Sequence, residues 1–178
     1  MAKQTEMLLI GGRPGVGRSA VGQEVAVLLR EADVAHAVIE GDLLDQVHPA
    51  PPDDPWRTEI TRANLAALRS TYAALGHHRL ICTHTVSVLE AETLTGALVV
   101  PGPVRVTAVL LTAGDAAAEE RLRGRERGSE LELRLRRSTH AARRLDAQAP
   151  EGAVRVATDG RRVREIAVEV AALTGWLG

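Results

Sequence analysis

Apolar positions along this chain fall into two kinds of segment that alternate from one end to the other. Short runs with the length of buried strands occur at Met7 to Ile10, His36 to Glu40, Arg79 to Thr83, Val104 to Leu111 and Val154 to Ala157. Between them, apolar residues recur every three or four positions, the spacing of one helix face. These segments predict helices over Ala20 to Glu31 (with Val21, Val25, Leu28 and Leu29 on one side), Glu59 to Leu75, Val88 to Ala97, Asp115 to Arg123, Glu130 to Ala147 and Val163 to Thr174. Strands alternating with helices predict a three-layer α/β domain whose parallel sheet, of five strands, is covered on both faces. At 178 residues the expectation is one domain, residues 1–178, with a core large enough to need no staples.

Composition narrows the classes of function. Hydrophobic residues make up 45% and charged residues 25%, ordinary for a globular protein, although Phe is absent and Leu, Val and Ala must fill the interior. A net charge of -1 with only three aromatic residues argues against a nucleic-acid partner, which would call for a basic face or a stacking surface. The single cysteine, Cys82, rules out an internal disulfide and sits in an apolar run as a buried thiol. No apolar segment is long enough to span a bilayer and no signal-peptide pattern is present, so neither a membrane partner nor export is expected and the cytoplasm is the simplest compartment. Six histidines are scattered without ligand spacing, and only His84, just after a core strand, draws interest, with a structural role as the simpler reading.

The strongest local pattern is Gly12 to Ser19, GRPGVGRS, which fits the phosphate-loop pattern GxxxxGK[ST] except for Arg18 in place of Lys. It lies between the first strand and the first helix, where the mechanism requires it. Gly12, Gly15 and Gly17 free the backbone to aim N–H groups at a phosphate chain, with Arg13, Pro14 and Val16 completing the loop. Ser19 and Ala20 open a helix whose positive end adds to the attraction. In such a loop the cation at position 18 meets the β and γ phosphates and the Ser19 hydroxyl ligates Mg²⁺. Arg keeps the charge but is planar and bulkier than an ammonium, so binding can survive while transfer suffers. With 21 Arg and one Lys in the chain, compositional drift also accounts for the swap.

Three further segments carry candidate chemistry. In Ile39-Glu40-Gly41-Asp42, at the carboxyl end of the second strand, Asp42 is placed to accept a proton from an acceptor hydroxyl or to hold Mg²⁺ through water, with Asp45 one turn on; a helix N-cap is the alternative. The proline-rich loop Pro49 to Arg57 is either an acceptor-side flap, with Trp56 as an apolar wall and Arg57 or Arg62 meeting an anion, or a stiff connection with Trp56 folded onto the core. From Glu119 to Arg137, Glu-to-Arg pairs at i,i+4 explain Arg123, Arg134 and Arg136 as a solvated helix face. Arg121, Arg125, Arg127 and Arg137 lack such partners, and Arg121 with Arg125 repel unless an anion lies between them. A lid over residues 119–137, jointed at Gly124 and Gly128, reconciles the two patterns.

On these residues the chain resembles the small-molecule P-loop kinases: shikimate, gluconate and adenylylsulfate kinases and the chloramphenicol phosphotransferase. The resemblance runs over nearly the whole chain and implies a P-loop NTPase fold with a helical lid. IEGD looks like the turn whose aspartate faces the acceptor hydroxyl in adenylylsulfate and gluconate kinases, which would give the base role to Asp42. ERLRGRERG is similar to their lid, and VATDGR resembles the loop over adenine, which would bring Thr158, Gly160 and Arg161 to the nucleotide. Arg62-Ala63-Asn64 has one residue fewer than the adenylylsulfate kinase helix, so sulfate activation is not implied. The resemblance implies an ATP- and Mg²⁺-dependent kinase for a hydroxyl of a small metabolite or antibiotic, in which Arg18, Arg121 and Arg125 meet the developing charge; the alternative is a nucleotide-binding regulatory protein in which Arg18 ended catalysis. A homodimer is compatible with the sequence, which does not decide the oligomeric state.

Overall fold

The computed structural model describes residues 4–98, 103–125 and 130–178. Its strands are β1 (Glu6–Gly11), β2 (Ala37–Glu40), β3 (Arg79–Thr83), β4 (Arg105–Thr112) and β5 (Val154–Ala157). They form one parallel sheet in the order β2-β3-β1-β4-β5. The helices are α1 (Arg18–Glu31), α2 (Thr58–Ala74), α3 (Ala91–Gly96), α4 (Asp115–Arg125), α5 (Leu131–Gln148) and α6 (Val163–Thr174). This is the three-layer α/β architecture of P-loop NTPases.

The central strand shows why the sheet is covered on both sides. Met7, Leu8, Leu9 and Ile10 are all fully buried, so alternate side chains feed two different cores. Leu8 and Ile10 pack with Val21, Val25 and Leu29 of α1 and Ile166 and Val170 of α6. Met7 and Leu9 pack with Leu65 of α2 and Leu94 of α3. A smaller cluster of Val88, Leu110 and Leu145 seats α5 beside β4. The register sets Ile10 level with Thr83 and Gly11 level with Leu110, so the loops leaving β1, β3 and β4 open at one edge of the sheet.

Helix boundaries depart from the periodicity in two places. α3 begins at Ala91 rather than Val88, because Ser87 and Val88 lie in turns beneath Gly11, where Val88 is buried against the end of β1. α4 runs through Gly124 to Arg125, so that glycine lies in the last turn of the helix. Arg127 and Gly128 of the expected lid fall outside the described residues. Among the described residues no helix is long and apolar enough to cross a membrane.

Candidate functional site

Between β1 and α1 the chain turns through Gly12, Gly15 and Gly17, at φ of +146°, +88° and +99°. Side chains rarely adopt these angles, so the glycines fix the path of the loop. At Gly15 space is also limiting: a Cβ there would meet the Ala118 carbonyl of α4 at 2.5 Å. Gly17 is the N-cap of α1 and brings no capping side chain, which leaves the first N–H groups of the helix without a side-chain acceptor.

Arg13, in the same loop, points away from it. Its guanidinium donates to Ser138 Oγ at 2.8 Å and pairs with Asp115, while the Ser138 hydroxyl donates to the Pro14 carbonyl at 2.8 Å. Arg13 is 4% exposed, and its side chain anchors the loop to α4 and α5. That ion pair holds the Asp115 carboxyl below the usual carboxylate range.

Arg18, on the opposite side of the loop, donates to the Gly12 carbonyl and, at 2.7 Å, to Asp42 Oδ2. Burial lowers its pKa from the ordinary arginine value, opposed by Asp42 and then Glu40, while Arg125 adds to the lowering. Asp42 sits in a 3₁₀ turn, Gly41–Leu43, and caps no helix. Its other oxygen accepts from the Thr85 N–H at 3.2 Å and the Thr85 hydroxyl at 3.4 Å. The same Thr85 accepts from the Gly12 N–H through its carbonyl, at 3.1 Å, so the β3–α3 loop ties the phosphate loop to the acidic turn. His84 stands 3.7 Å from Asp42 and 3.8 Å from Glu90, beyond hydrogen-bond range of either.

Glu40, Thr83 and Thr85 were missed as individual functional residues in the sequence. Glu40 Oε2 accepts from Ser19 Oγ at 2.9 Å and from Thr83 Oγ1 at 2.6 Å. The last residues of β2 and β3 thus meet the first turn of α1 and make an all-oxygen corner suited to a hard cation. Among the described residues no cluster of three or more His, Cys, Asp or Glu side chains could hold a metal, so any ion here would need oxygens from a bound ligand and water. The available signal was the position of Glu40, two residues before Asp42 at a strand end.

The loop, Ser19 and the acidic turn line a cleft of about 420 Å³ that includes Gly15, Gly17, Arg18, Ser19, Asp42, His84 and Thr85, with Arg125, Arg134 and Arg137 on the helical side; Glu40 and Thr83 are not among its lining residues. A groove of about 500 Å³ runs along the edge of β2, past Arg30, His36 and His77, away from the phosphate loop. Arg121 is tied down: it donates to Thr158 Oγ1 at 3.0 Å and to the Val16 carbonyl at 3.4 Å, and lies 3.6 Å from Asp159. Thr158 follows β5, Gly160 takes φ +69°, and Arg161 pairs with Glu169 at 2.6 Å. The acceptor-side candidates lie elsewhere. Trp56 is 86% exposed and so is not folded onto the core, Arg62 pairs with Glu59 at 3.0 Å, and neither they nor Arg57 line the cleft. Asp54 caps α2 by accepting from the N–H groups of Thr58 and Glu59 at 2.8 and 2.9 Å.

Comparison with solved structures finds the same fold in kinases and in a resistance protein. A gluconokinase from Sinorhizobium meliloti is 21% identical, with 98% of this chain and 95% of that one covered and a TM-score of 0.60. The Deinococcus radiodurans tunicamycin resistance protein is 21% identical over 97% of this chain and 96% of its own, at a TM-score of 0.57. Shikimate kinase from Acinetobacter baumannii, in complex with shikimate, is 17% identical over 97% and 93%, at 0.53. No protein-family model matches the chain, and no curated protein sequence matches it significantly.

Proposed function

We propose that this protein is an ATP- and Mg²⁺-dependent phosphotransferase acting on a hydroxyl of a small metabolite or antibiotic. The observation that carries the reading is the convergence of a phosphate loop, Ser19 and the Asp42 carboxylate on one cleft at the carboxyl ends of the strands, with Glu40 hydrogen-bonded to Ser19. Fold kinship with a gluconokinase and a shikimate kinase supports it.

In this reading the backbone of Gly12 to Ala20 cradles the phosphate chain, and Arg18 supplies the loop cation. Ser19, with Glu40 bonded to it, would hold Mg²⁺ together with phosphate oxygens and water, and the ion would neutralise phosphate charge. Asp42 faces the acceptor hydroxyl and takes its proton as the oxygen attacks the γ-phosphorus, while the bond from that phosphorus to the β–γ bridging oxygen breaks and ADP leaves. Arg125 faces the phosphates from α4, where positive charge stabilises the transferring group, and Arg121 would join it on leaving Thr158 and Asp159. Thr158, Gly160 and Arg161 border the base, and the lid over residues 119–137 excludes water. Trp56 and Arg57 are proposed to reach the acceptor only when the loop before α2 closes, and Arg62, on α2 and paired with Glu59, only if that helix moves with it.

The deciding experiment pairs binding with transfer. ATP with Mg²⁺ at 100 times its dissociation constant should stabilise the fold by about 2.7 kcal/mol. A panel of sugars, nucleosides and antibiotics should then contain an acceptor that the wild type phosphorylates and Asp42→Asn does not, with ATP binding retained. Binding without transfer across the panel, in the wild type and in Arg18→Lys alike, would leave a nucleotide-binding regulator. No thermal shift with ATP, ADP or GTP would remove the nucleotide reading itself.

A further inference from the structure

Arg18 is the point at which the loop departs from its pattern, and its side chain reaches two partners at once. One terminal nitrogen donates to the carbonyl of Gly12, where the loop begins, and the other donates to Asp42 Oδ2 at 2.7 Å. An ammonium is a single point of charge, whereas the guanidinium offers two terminal nitrogens in a fixed plane. The planar guanidinium thus joins the loop and the acidic turn through one rigid group.

The charges around Arg18 make this contact consequential. The side chain is only 10% exposed, so its charge is largely removed from water and depends on an anion. Asp42 is its hydrogen-bonded counter-ion; Glu40 helps at longer range, and Arg125 opposes. A phosphate chain entering the loop would be a second anion competing for the same cation. Asp42 is prepared for that exchange, because Thr85 holds its other oxygen through a backbone N–H and a hydroxyl. The carboxylate can lose Arg18 and keep its place.

We propose that Arg18 is a latch between the phosphate site and Asp42. With the loop empty, the guanidinium occupies one face of the Asp42 carboxylate; phosphate draws it away and exposes that carboxylate to an acceptor. Asp42 is then an internal competitor of phosphate, and nucleotide must bind before the acceptor meets a free base. This inference rests on reading the loop as a nucleotide site.

The test measures binding of ATP and of inorganic tripolyphosphate by calorimetry, with no acceptor present, to the wild type, Asp42→Asn, Arg18→Ala and the double variant. Removing one charge-assisted hydrogen bond that phosphate must break should tighten tripolyphosphate binding about tenfold in Asp42→Asn. In the Arg18→Ala background the same substitution should change affinity by no more than about twofold, since the two residues act as one coupled pair. Equal tightening in both backgrounds would mean that Asp42 only repels anions through its field, and would overturn the latch. So would unchanged or weaker binding in Asp42→Asn. A measurement that needs no variant to fold follows the ¹³C signal of the Asp42 carboxyl in the wild type: it should move as tripolyphosphate fills the loop, and a stationary signal at saturation refutes the exchange. Binding without an Asp42 effect removes the latch alone, whereas no binding of either probe removes the nucleotide reading and the latch with it.

Discussion

Glu40→Gln separates the metal corner from the fold. In the protein one carboxylate oxygen accepts from both Ser19 Oγ and Thr83 Oγ1, at 2.9 and 2.6 Å. A glutamine carbonyl can accept both, so what is lost is the charge assistance, about 1 kcal/mol per bond and about 2 kcal/mol together. For a domain of this size that shifts the melting temperature by about 4–8 °C and leaves it folded. The effect on metal should be larger, because weakening the oxygen set that holds or orients an ion typically costs about 10–100-fold in metal affinity. The two consequences have opposite signs for nucleotide. With EDTA present, ATP should bind Glu40→Gln at least as well as the wild type, one negative charge near its phosphates having gone. With Mg²⁺ present, the gain in affinity that the ion gives the wild type should shrink about 10–100-fold. Calorimetric titrations of ATP into both proteins, with EDTA and with Mg²⁺, give the four affinities needed. An unchanged Mg²⁺ enhancement would show that Glu40 does no more than brace Ser19 against β3, and the oxygen corner would no longer be a candidate metal site.

Other consequences are open to simpler assays. Gly15→Ala forces a side chain into φ +88° and against the Ala118 carbonyl, so urea denaturation should show a loss of about 2–4 kcal/mol, and a loss below about 1 kcal/mol would mean α4 yields easily. Asp115 has its pKa depressed by Arg13, so this pair stabilises the fold above the unfolded carboxylate pKa and the contribution is lost as pH falls through the folded value. The urea midpoint of Arg13→Met should therefore fall less than that of the wild type on acidification below about pH 4, and parallel pH curves would contradict the pairing. Cys82 is fully buried with its pKa pushed up to about 12, so Ellman's reagent should label it only at the rate of unfolding, and rapid labelling of the native protein would refute that burial.

What could be read from the chain and what could not follows from the range of each interaction. β1, β3 and β4 were legible because strands covered on both faces must be apolar at successive positions, as in Met7 to Ile10. The phosphate loop was legible because its glycines and Ser19 act locally. Arg13 gave no signal: its partners Asp115 and Ser138 are 102 and 125 residues away, and only the folded chain shows its side chain leaving the loop. Glu40 was half legible, inside a segment already singled out, but Ser19 and Thr83 reach it from 21 and 43 residues away. The start of α3 was misplaced because Val88 has the spacing of a helix face, while its burial is in a turn under Gly11. Trp56 carried no internal clue to its exposure, since a side chain beside prolines can lie flat or stand free.

The bond from Ser138 to the Pro14 carbonyl gives α5 a fulcrum. Seven residues separate Leu131, where the helix starts, from Ser138, a lever arm of about 10 Å. With the pivot intact, a tilt of α5 about Ser138 would swing its Leu131 end and deliver torque to Pro14 and Arg13 within the loop. Stiffening the loop should therefore damp that swing, and pushing on the Leu131 end should strain the loop. A Ser138→Ala chain would have lost the pin between lever and base, and the two parts would move with less regard for each other.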